Sequence, residues 1–229
     1  MKDYGDISSL VPEVERFEAL DAIPSVKHSF LLRAPGIDVC MDRQAALVNL
    51  RQYYRSGISG LGYGLEDTAA AEQVHGKAVE RVERVLGFDA PVADADALVT
   101  DRPGILLAIL VADCCAVFLA DKKGRGVALV HSGRKGSGMG IVTRAILSMR
   151  EMGISPDDLV AVLSPCIRPP AYEEDFAAII RKDCLRAGIP EAQVHDEGIC
   201  TASNPGRYYS YRREGGRTGR MLALLGLSP

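Results

Sequence analysis

The chain has 229 residues, of which 47% are hydrophobic, and that is enough to bury a substantial core in one domain. Its net charge is -3, its isoelectric point is about 5.8, and acidic and basic residues are interspersed along the sequence. This pattern excludes the basic patch of a protein that binds nucleic acid or an anionic membrane. We therefore expect a small-molecule partner, with no nucleic acid and no membrane.

The ends and the cysteines predict a cytoplasmic protein. Residues 1–6 lack the basic and apolar regions of a secretory signal, and no run approaches the roughly 18 apolar residues of a membrane span. The six cysteines are expected to be free thiols or ligands, since a reducing compartment and a large core make disulfides unnecessary. No repeat, low-complexity tract or linker is visible, which predicts a single domain spanning residues 1–229.

Predicted strands and helices follow each other irregularly along the chain. The opening half has a strand at residues 26–33, a helix at 42–54 and two buried strands at 105–111 and 117–120. Residues 126–130 form a strand that ends at His131, and a glycine-rich turn leads into a helix at 140–152. A strand at 159–163 and a helix at 175–187 complete the series. Because several strands lack a helix between them, the pattern favours a layered α+β sandwich over a doubly wound sheet.

Three residues stand in contexts that suit metal ligands. His75 precedes a glycine that lets another group approach closely, and His131 lies where a buried strand meets a glycine-rich turn. Cys114 follows Asp113 at a break between two apolar runs. Two imidazoles and one thiolate match the three protein ligands of a catalytic zinc site. The separations are too long for a local zinc-binding rule, so ordinary loop histidines and a small buried cysteine remain open.

Six ordered motifs carry a resemblance to a known family. They run from residue 73 to residue 220 and read Gln-Val-His-Gly (73–76), Asp-Ala-Asp-Ala-Leu-Val-Thr (94–100), Ala-Asp-Cys (112–114), His-Ser-Gly-Arg-Lys-Gly (131–136), Ser-Pro-Cys-Ile (164–167) and Ser-Tyr-Arg-Arg with Thr-Gly-Arg (210–213 and 218–220). In these segments the chain resembles the YfiH-type proteins, also called multicopper polyphenol oxidase or laccase-domain proteins. Members of that family include purine nucleoside phosphorylases.

The resemblance implies a fold, a metal site and an activity. The fold would be a compact α/β/β/α sandwich, and the metal would be zinc, with copper as the alternative, held by His75, Cys114 and His131. The activity would be purine nucleoside phosphorolysis with adenosine deamination, acting on adenosine, inosine and methylthioadenosine-type substrates. Asp113 is then a partner of the ligands or a proton carrier. The cations expected to hold phosphate are Lys135, Arg212 and Arg213.

The chain departs from the family pattern at two places. Arg134 and Lys135 stand where the family has tryptophan and a basic residue, and Cys115 and Ala116 follow the Ala-Asp-Cys motif where a proline is usual. Both departures leave the ligands in place but alter the pocket wall. Loss of the tryptophan removes an aromatic surface for a nucleobase.

Other readings of the same residues stay open. Cys114 and His131 suit a cysteine hydrolase or amidase, the chain could edit peptidoglycan precursors, and the family name suggests copper-dependent phenol oxidation, for which four histidines are few. A non-catalytic zinc module is a further alternative. Asp94 and Asp96 are read as polar caps of a strand, slightly ahead of an acid/base pair. Cys115 is expected in the core, and His28 and His195 are read as ordinary surface or loop residues.

Overall fold

The computed structural model describes residues 11–228. The amino-terminal segment, residues 1–6, on which the expected lack of a secretory signal rests, lies outside the described part of the chain. Within residues 11–228 no helix combines the length and the apolar character that crossing a membrane requires.

The described chain forms eleven strands and five α-helices, with short 3-10 turns between them. The strands are β1 (Val14–Glu15), β2 (Val26–Leu31), β3 (Thr68–Ala70), β4 (Val79–Arg81), β5 (Ala97–Thr100), β6 (Leu106–Val111), β7 (Cys115–Asp121), β8 (Val127–Ser132), β9 (Leu159–Leu163), β10 (Val194–Asp196) and β11 (Met221–Leu227). The helices are α1 (Glu18–Asp21), α2 (Arg43–Gly60), α3 (Arg134–Gly138), α4 (Ile141–Glu151) and α5 (Phe176–Arg186).

The strands form two mixed sheets that face each other. The first sheet has the order β1-β2-β11-β6-β3 and the second has the order β10-β9-β7-β8-β5-β4. Strands β6 and β11 contact β8 across the interface, α2 packs on β2 of the first sheet, and α4 and α5 contact strands of the second. The predicted α+β sandwich with α/β/β/α layers is therefore confirmed.

Strand β7 shows how the sequence supplies both faces of the second sheet. Successive side chains of a strand point to opposite faces, so Ala116, Phe118 and Ala120 join the core between the sheets. Cys115, Val117 and Leu119 join the core under α4 and α5. Every residue of this strand is buried, which explains its continuous apolar run. The prediction that Cys115 belongs to the core is confirmed.

Most predicted elements occur within a few residues of their expected bounds, and three expectations need correction. The helix predicted at 42–54 continues to Gly60, because the sequence beyond Tyr54 keeps burying a face, as at Ile58. The glycine-rich turn after His131 is the short helix α3, since Ser137 N–H donates to the carbonyl of Gly133 and Met139 N–H to that of Lys135, each four residues back. The reading of His28 as a surface or loop residue is wrong: it lies in β2 and is 0% exposed. His195 is exposed, as expected.

Candidate metal centre

The three predicted ligands meet because two chain crossings and one strand end lie at the same end of the sandwich. The connection after β3 carries His75 and the connection after β6 carries Cys114, and both pass from the first sheet to the second. Strands β3 and β6 are parallel, so they end side by side. His131, near the end of β8, is paired with Ala116 of β7. Strand order and register therefore bring together residues that are distant in sequence.

The donor atoms of His75, Cys114 and His131 all lie within 4.8 Å of one another. The two imidazole rings meet edge to face, with centroids 4.8 Å apart and an angle of 82° between their planes. His131 is buried, Cys114 is half-buried and His75 is exposed. The cluster is thus closed on the side of the protein core and open on the side of His75.

Asp96 ties two of these ligands together. Its buried carboxylate accepts a hydrogen bond from His131 Nδ1 at 2.7 Å and from the backbone N–H groups of His75 at 3.0 Å and Gly76 at 2.6 Å. Burial opposes ionisation of Asp96, but these bonds outweigh it and hold its pKa below the ordinary value. Because a carboxylate only accepts, His131 carries its proton on Nδ1 and turns Nε2 towards the cluster.

The backbone around the cluster is held in conformations that L-residues rarely adopt. Among residues 11–228, the non-glycine residues with positive φ are Gln73 (64°), His75 (60°), Asp94 (57°) and Asp113 (81°), and all lie within two residues of His75, Asp96 or Cys114. Such strain persists only where the surroundings impose it, and it concentrates at functional sites.

Gln73 supplies part of this constraint on the loop that bears His75. Its side-chain amide donates to the carbonyl of Leu110 at 2.6 Å and accepts from the N–H of Leu110 at 2.9 Å. The paired bonds fasten the loop to β6, the strand that leads to Cys114. Gln73 therefore fixes the separation between two of the candidate ligands.

Gly133 leaves the space that the thiol occupies. A Cβ atom at this position would lie 2.4 Å from Cys114 Sγ, far inside van der Waals contact. The glycine of the His-x-Gly motif is therefore required by a close approach between side chain and backbone.

The charges within the cluster favour a thiolate. Burial raises the pKa of the Cys114 thiol, but hydrogen bonds with the rings of His131 and His75 outweigh burial and lower it to about 6. Burial lowers the pKa of His131, and its bonds to Asp96 and Cys114 reverse this and raise it to about 9. The electrons of the sulfur are thus available at neutral pH to a metal ion or to an electrophile.

The donor set fits a divalent metal ion. A thiolate and two imidazoles suit zinc, whose bonds of about 2.0–2.3 Å place tetrahedral ligand atoms roughly 3.5 Å apart. The three donor atoms, all within 4.8 Å of one another, are spaced on this scale. The carboxylate behind His131 is the usual support of a metal-binding histidine.

The cluster opens into a cavity of about 1120 Å³. Of the cations expected to hold phosphate, Lys135 and Arg212 line this cavity, whereas Arg213 does not and donates instead to the carbonyl of Ala202 at 2.9 Å. Asp113 lines the cavity, and its carboxylate accepts from the hydroxyl of Thr201 and the N–H of Arg212, both at 2.7 Å. Asp113 thus anchors the segment that carries Arg212. The aspartate whose carboxylate bonds to a candidate ligand is Asp96.

Several residues of the site have no role in the sequence-based interpretation. The sequence interpretation treats Asp96 as a strand cap. Asp96 nevertheless lies in a matched motif, and its alternation with apolar residues places it on the inner face of the sheet. Tyr172 and Tyr211 line the cavity and place aromatic rings there. Arg43 and Arg220 also line it. Arg43 carries no motif that would have revealed it, whereas Arg220 ends the matched Thr-Gly-Arg segment.

A sequence profile of the family described as multi-copper polyphenol oxidoreductase laccase matches residues 38–175 and 173–228. The chain belongs to this family. Among its relatives, the purine nucleoside phosphorylase of Deinococcus radiodurans is 32% identical over 232 residues, which cover 89% of this chain and 90% of the relative.

Solved structures of the same fold agree with the assignment to the laccase-domain family. YlmD from Geobacillus stearothermophilus matches with a TM-score of 0.79 at 25% identity, covering 91% of this chain and 94% of YlmD. The hypothetical protein YfiH of Bacillus licheniformis matches with a TM-score of 0.76 at 25% identity, covering 89% and 93%. The resemblance inferred from the six motifs is confirmed.

Proposed function

We propose that this protein is a zinc-dependent purine nucleoside phosphorylase that also deaminates adenosine. The observation that carries the proposal is the convergence of His75, Cys114 and His131 in the lining of a cavity large enough for a nucleoside. The Deinococcus radiodurans relative is a purine nucleoside phosphorylase by name, and this suggests the substrate class.

The metal ion would be held by His75, Cys114 and His131, with Asp96 supporting His131 from behind. A zinc ion with three protein ligands and one open position supplies a Lewis acid and a bound water of lowered pKa. Zinc is favoured over copper because multicopper oxidases need more histidines than the cluster offers. Among residues 11–228, this trio is the one group of three or more His, Cys, Asp or Glu side chains arranged to hold an ion.

The other residues of the cavity would bind and orient the substrates. Tyr172 and Tyr211 offer ring faces against which a purine can stack. Lys135 and Arg212 place positive charge in the same cavity, where it can attract phosphate. Asp113 would act by positioning Arg212 through the backbone bond described above.

Two reactions follow from this arrangement of groups. In phosphorolysis, a phosphate oxygen forms a bond to C1′ of the ribose, the C1′–N9 bond breaks, and the purine keeps the electron pair and takes up a proton. In deamination, a water oxygen forms a bond to C6 of adenine, the C6–N6 bond breaks, and ammonia leaves. Both need a cavity that positions the nucleoside and excludes bulk water.

The test compares two neighbouring cysteines, of which Cys114 lines the cavity and Cys115 lies in the core. Zinc-loaded wild type, Cys114→Ala and Cys115→Ala are each incubated with adenosine and phosphate, and adenine, inosine and ribose 1-phosphate are followed by chromatography. We expect Cys114→Ala to lose bound zinc and both activities, and Cys115→Ala to keep them because its side chain lies in the core under α4 and α5. Activity that survives in Cys114→Ala without bound metal would refute the proposal.

A cysteine hydrolase is the second candidate, and the lowered pKa of Cys114 beside His131 favours it. The two candidates differ in what zinc does to the thiol. A metal-bound thiolate resists alkylation, so iodoacetamide should label Cys114 rapidly in chelator-treated protein and slowly after zinc is restored. Equal labelling in both states, together with amidase activity that zinc does not inhibit, would establish the hydrolase instead.

A further inference from the structure

The cations that line the cavity fall into two classes. Arg134 is paired with Glu174 at 2.7 Å, and Arg212 is paired with Glu173 at 3.1 Å. In contrast, Arg43, Lys135 and Arg220 form no ion pair with any residue in the range 11–228. Three cations of the cavity therefore have no carboxylate partner among these residues.

Arg220 is the most constrained of these three cations. Its Nη1 donates to the carbonyls of Thr218 and Gly219, both at 2.9 Å, and its own carbonyl accepts from the Tyr54 hydroxyl at 2.7 Å. No acceptor among the described residues takes a bond from its Nε or Nη2. The guanidinium is thus fixed by one edge, with two donor atoms left for a ligand.

The sheet register places Arg220 beside the crossing that carries Cys114. Met221, the first residue of β11, is paired with Val111, the last residue of β6. Arg220 therefore lies just before β11, beside the point where the chain leaves β6 towards Cys114. Its guanidinium lies 5.9 Å from the centroid of the Tyr211 ring, which also lines the cavity.

Arg43 brings a second guanidinium to the same place. It is the first residue of α2, and its side chain makes no hydrogen bond to any described residue. Both arginines line the same cavity, and the charge of Arg43 adds to burial in lowering the pKa of Arg220. Two guanidiniums left without a carboxylate are stabilised by an anion that both can contact.

We propose that Arg43 and Arg220 together bind inorganic phosphate, the co-substrate of phosphorolysis, beside the metal centre. The assignment rests on the proposed function for its identification of the anion as a co-substrate. Phosphate suits the pair because its oxygens can accept two N–H bonds from each guanidinium and its negative charge opposes the charge of both. Neither arginine is among the phosphate-binding residues that the family resemblance implied.

Phosphate bound there opposes the charge of both arginines and presents an oxygen to the nucleoside in the same cavity. Bond formation between this oxygen and C1′ accompanies cleavage of the C1′–N9 bond, with the electron pair and a proton going to the purine. The arginines keep their charge throughout and hold the ribose 1-phosphate until it is released.

The experiment measures binding of inorganic phosphate by titration calorimetry, on both zinc-loaded and chelator-treated protein. The variants are Arg43→Gln, Arg43→Lys, Arg220→Lys and Lys135→Gln, and the matched control is Arg55→Gln, which removes an exposed charge from the same helix. We expect Arg43→Gln and Arg220→Lys to weaken phosphate binding by about tenfold or more, since each loses charged hydrogen bonds. Arg43→Lys should recover part of the loss, and Arg55→Gln should match wild type.

Kinetics then separate the anion site from the nucleoside site. Arg43→Gln should raise KM for phosphate by about tenfold or more and leave KM for adenosine within about twofold, with bound zinc unchanged. Phosphate binding in Arg43→Gln equal to wild type, or lost only in Lys135→Gln, would overturn the assignment, and so would a wild type that does not bind phosphate. Arg43 is exposed, so its variants test the site even where Arg220→Lys does not fold.

Failure of the proposed function has a different signature. If wild type binds phosphate in a way that depends on Arg43 and Arg220 but releases no adenine or ribose 1-phosphate, the anion site stands and phosphorolysis is refuted.

Discussion

Substitution of Asp96 by asparagine tests the support of the metal centre without changing a ligand. The carboxylate accepts three hydrogen bonds, two at Oδ1 from His131 and His75 and one at Oδ2 from Gly76. Asparagine keeps one oxygen and replaces the other with an NH₂ group. In the better orientation, the asparagine oxygen keeps the bonds from His131 and His75, and the NH₂ group faces the N–H of Gly76, so that two donors meet.

The size of the effect follows from these contacts. The half-buried N–H of Gly76 loses its acceptor, which costs at most about 1–3 kcal/mol of folding free energy. The bond to His131 becomes a neutral one and loses roughly half its strength. Loss of such a support lowers metal affinity by about 10- to 100-fold, which corresponds to about 1.4–2.8 kcal/mol. We therefore expect a protein that folds, melts at lower temperature and binds zinc more weakly.

The assay is a competition for zinc between the protein and a chromogenic chelator, combined with urea unfolding of the metal-free protein. Asp94→Asn is the matched control, because Asp94 is exposed, its carboxylate makes no hydrogen bond to a described residue, and asparagine tolerates its positive φ. Zinc affinity of Asp96→Asn within a factor of two of Asp94→Asn would refute the role assigned to Asp96.

Two further predictions concern steric fit and pH. Gly133→Ala should displace Cys114 Sγ and lower zinc occupancy, with a stability cost of about 1–3 kcal/mol. Gly138→Ala is the control, because a Cβ at this position meets nothing within 4 Å. Equal zinc content in the two variants, measured by elemental analysis, would contradict the steric reasoning. Burial lowers the pKa of His28 to about 4, helped by a nearby arginine, and its Nε2 accepts from the N–H of Phe17 at 2.9 Å. Because the unfolded chain protonates His28 near pH 6.5, the stability it contributes is present above that pH and falls by roughly 3 kcal/mol towards pH 4. Urea unfolding should show that the free energy of unfolding falls less over this pH range in His28→Gln than in wild type. Identical pH profiles for the two proteins would count against this role of His28.

Local sequence patterns were sufficient for most of the elements. The apolar run of β9 predicted a strand at residues 159–163, and its bounds are those of the structure. Asp42 and Asp175 accept from N–H groups of the first turns of α2 and α5, so each helix begins where a capping residue allows it. These features depend on neighbours within a few positions and are visible in a single sequence.

Side chains whose surroundings come from distant segments were harder to interpret. His28 lies in a strand that reads as half polar, but β2 is covered on both faces, because α2 packs against one and Phe118 of the second sheet contacts His28 on the other. Asp96 looked like a strand cap until pairing of β5 with β8 placed it against His131. Arg43 begins a helix like any surface cation, and only the packing of α2 directs it into the cavity.

By itself, the sequence determined the residue types capable of chemistry and, through six ordered motifs, the family and the candidate ligands His75, Cys114 and His131. Only the tertiary structure decided that these ligands share a carboxylate at Asp96, that Asp113 anchors a distant segment, and that Arg43 and Arg220 leave positive charge in the cavity. The reason is physical. Periodicity and turn chemistry act over a few residues, whereas a site is assembled by strand order, register and chain crossings between two sheets.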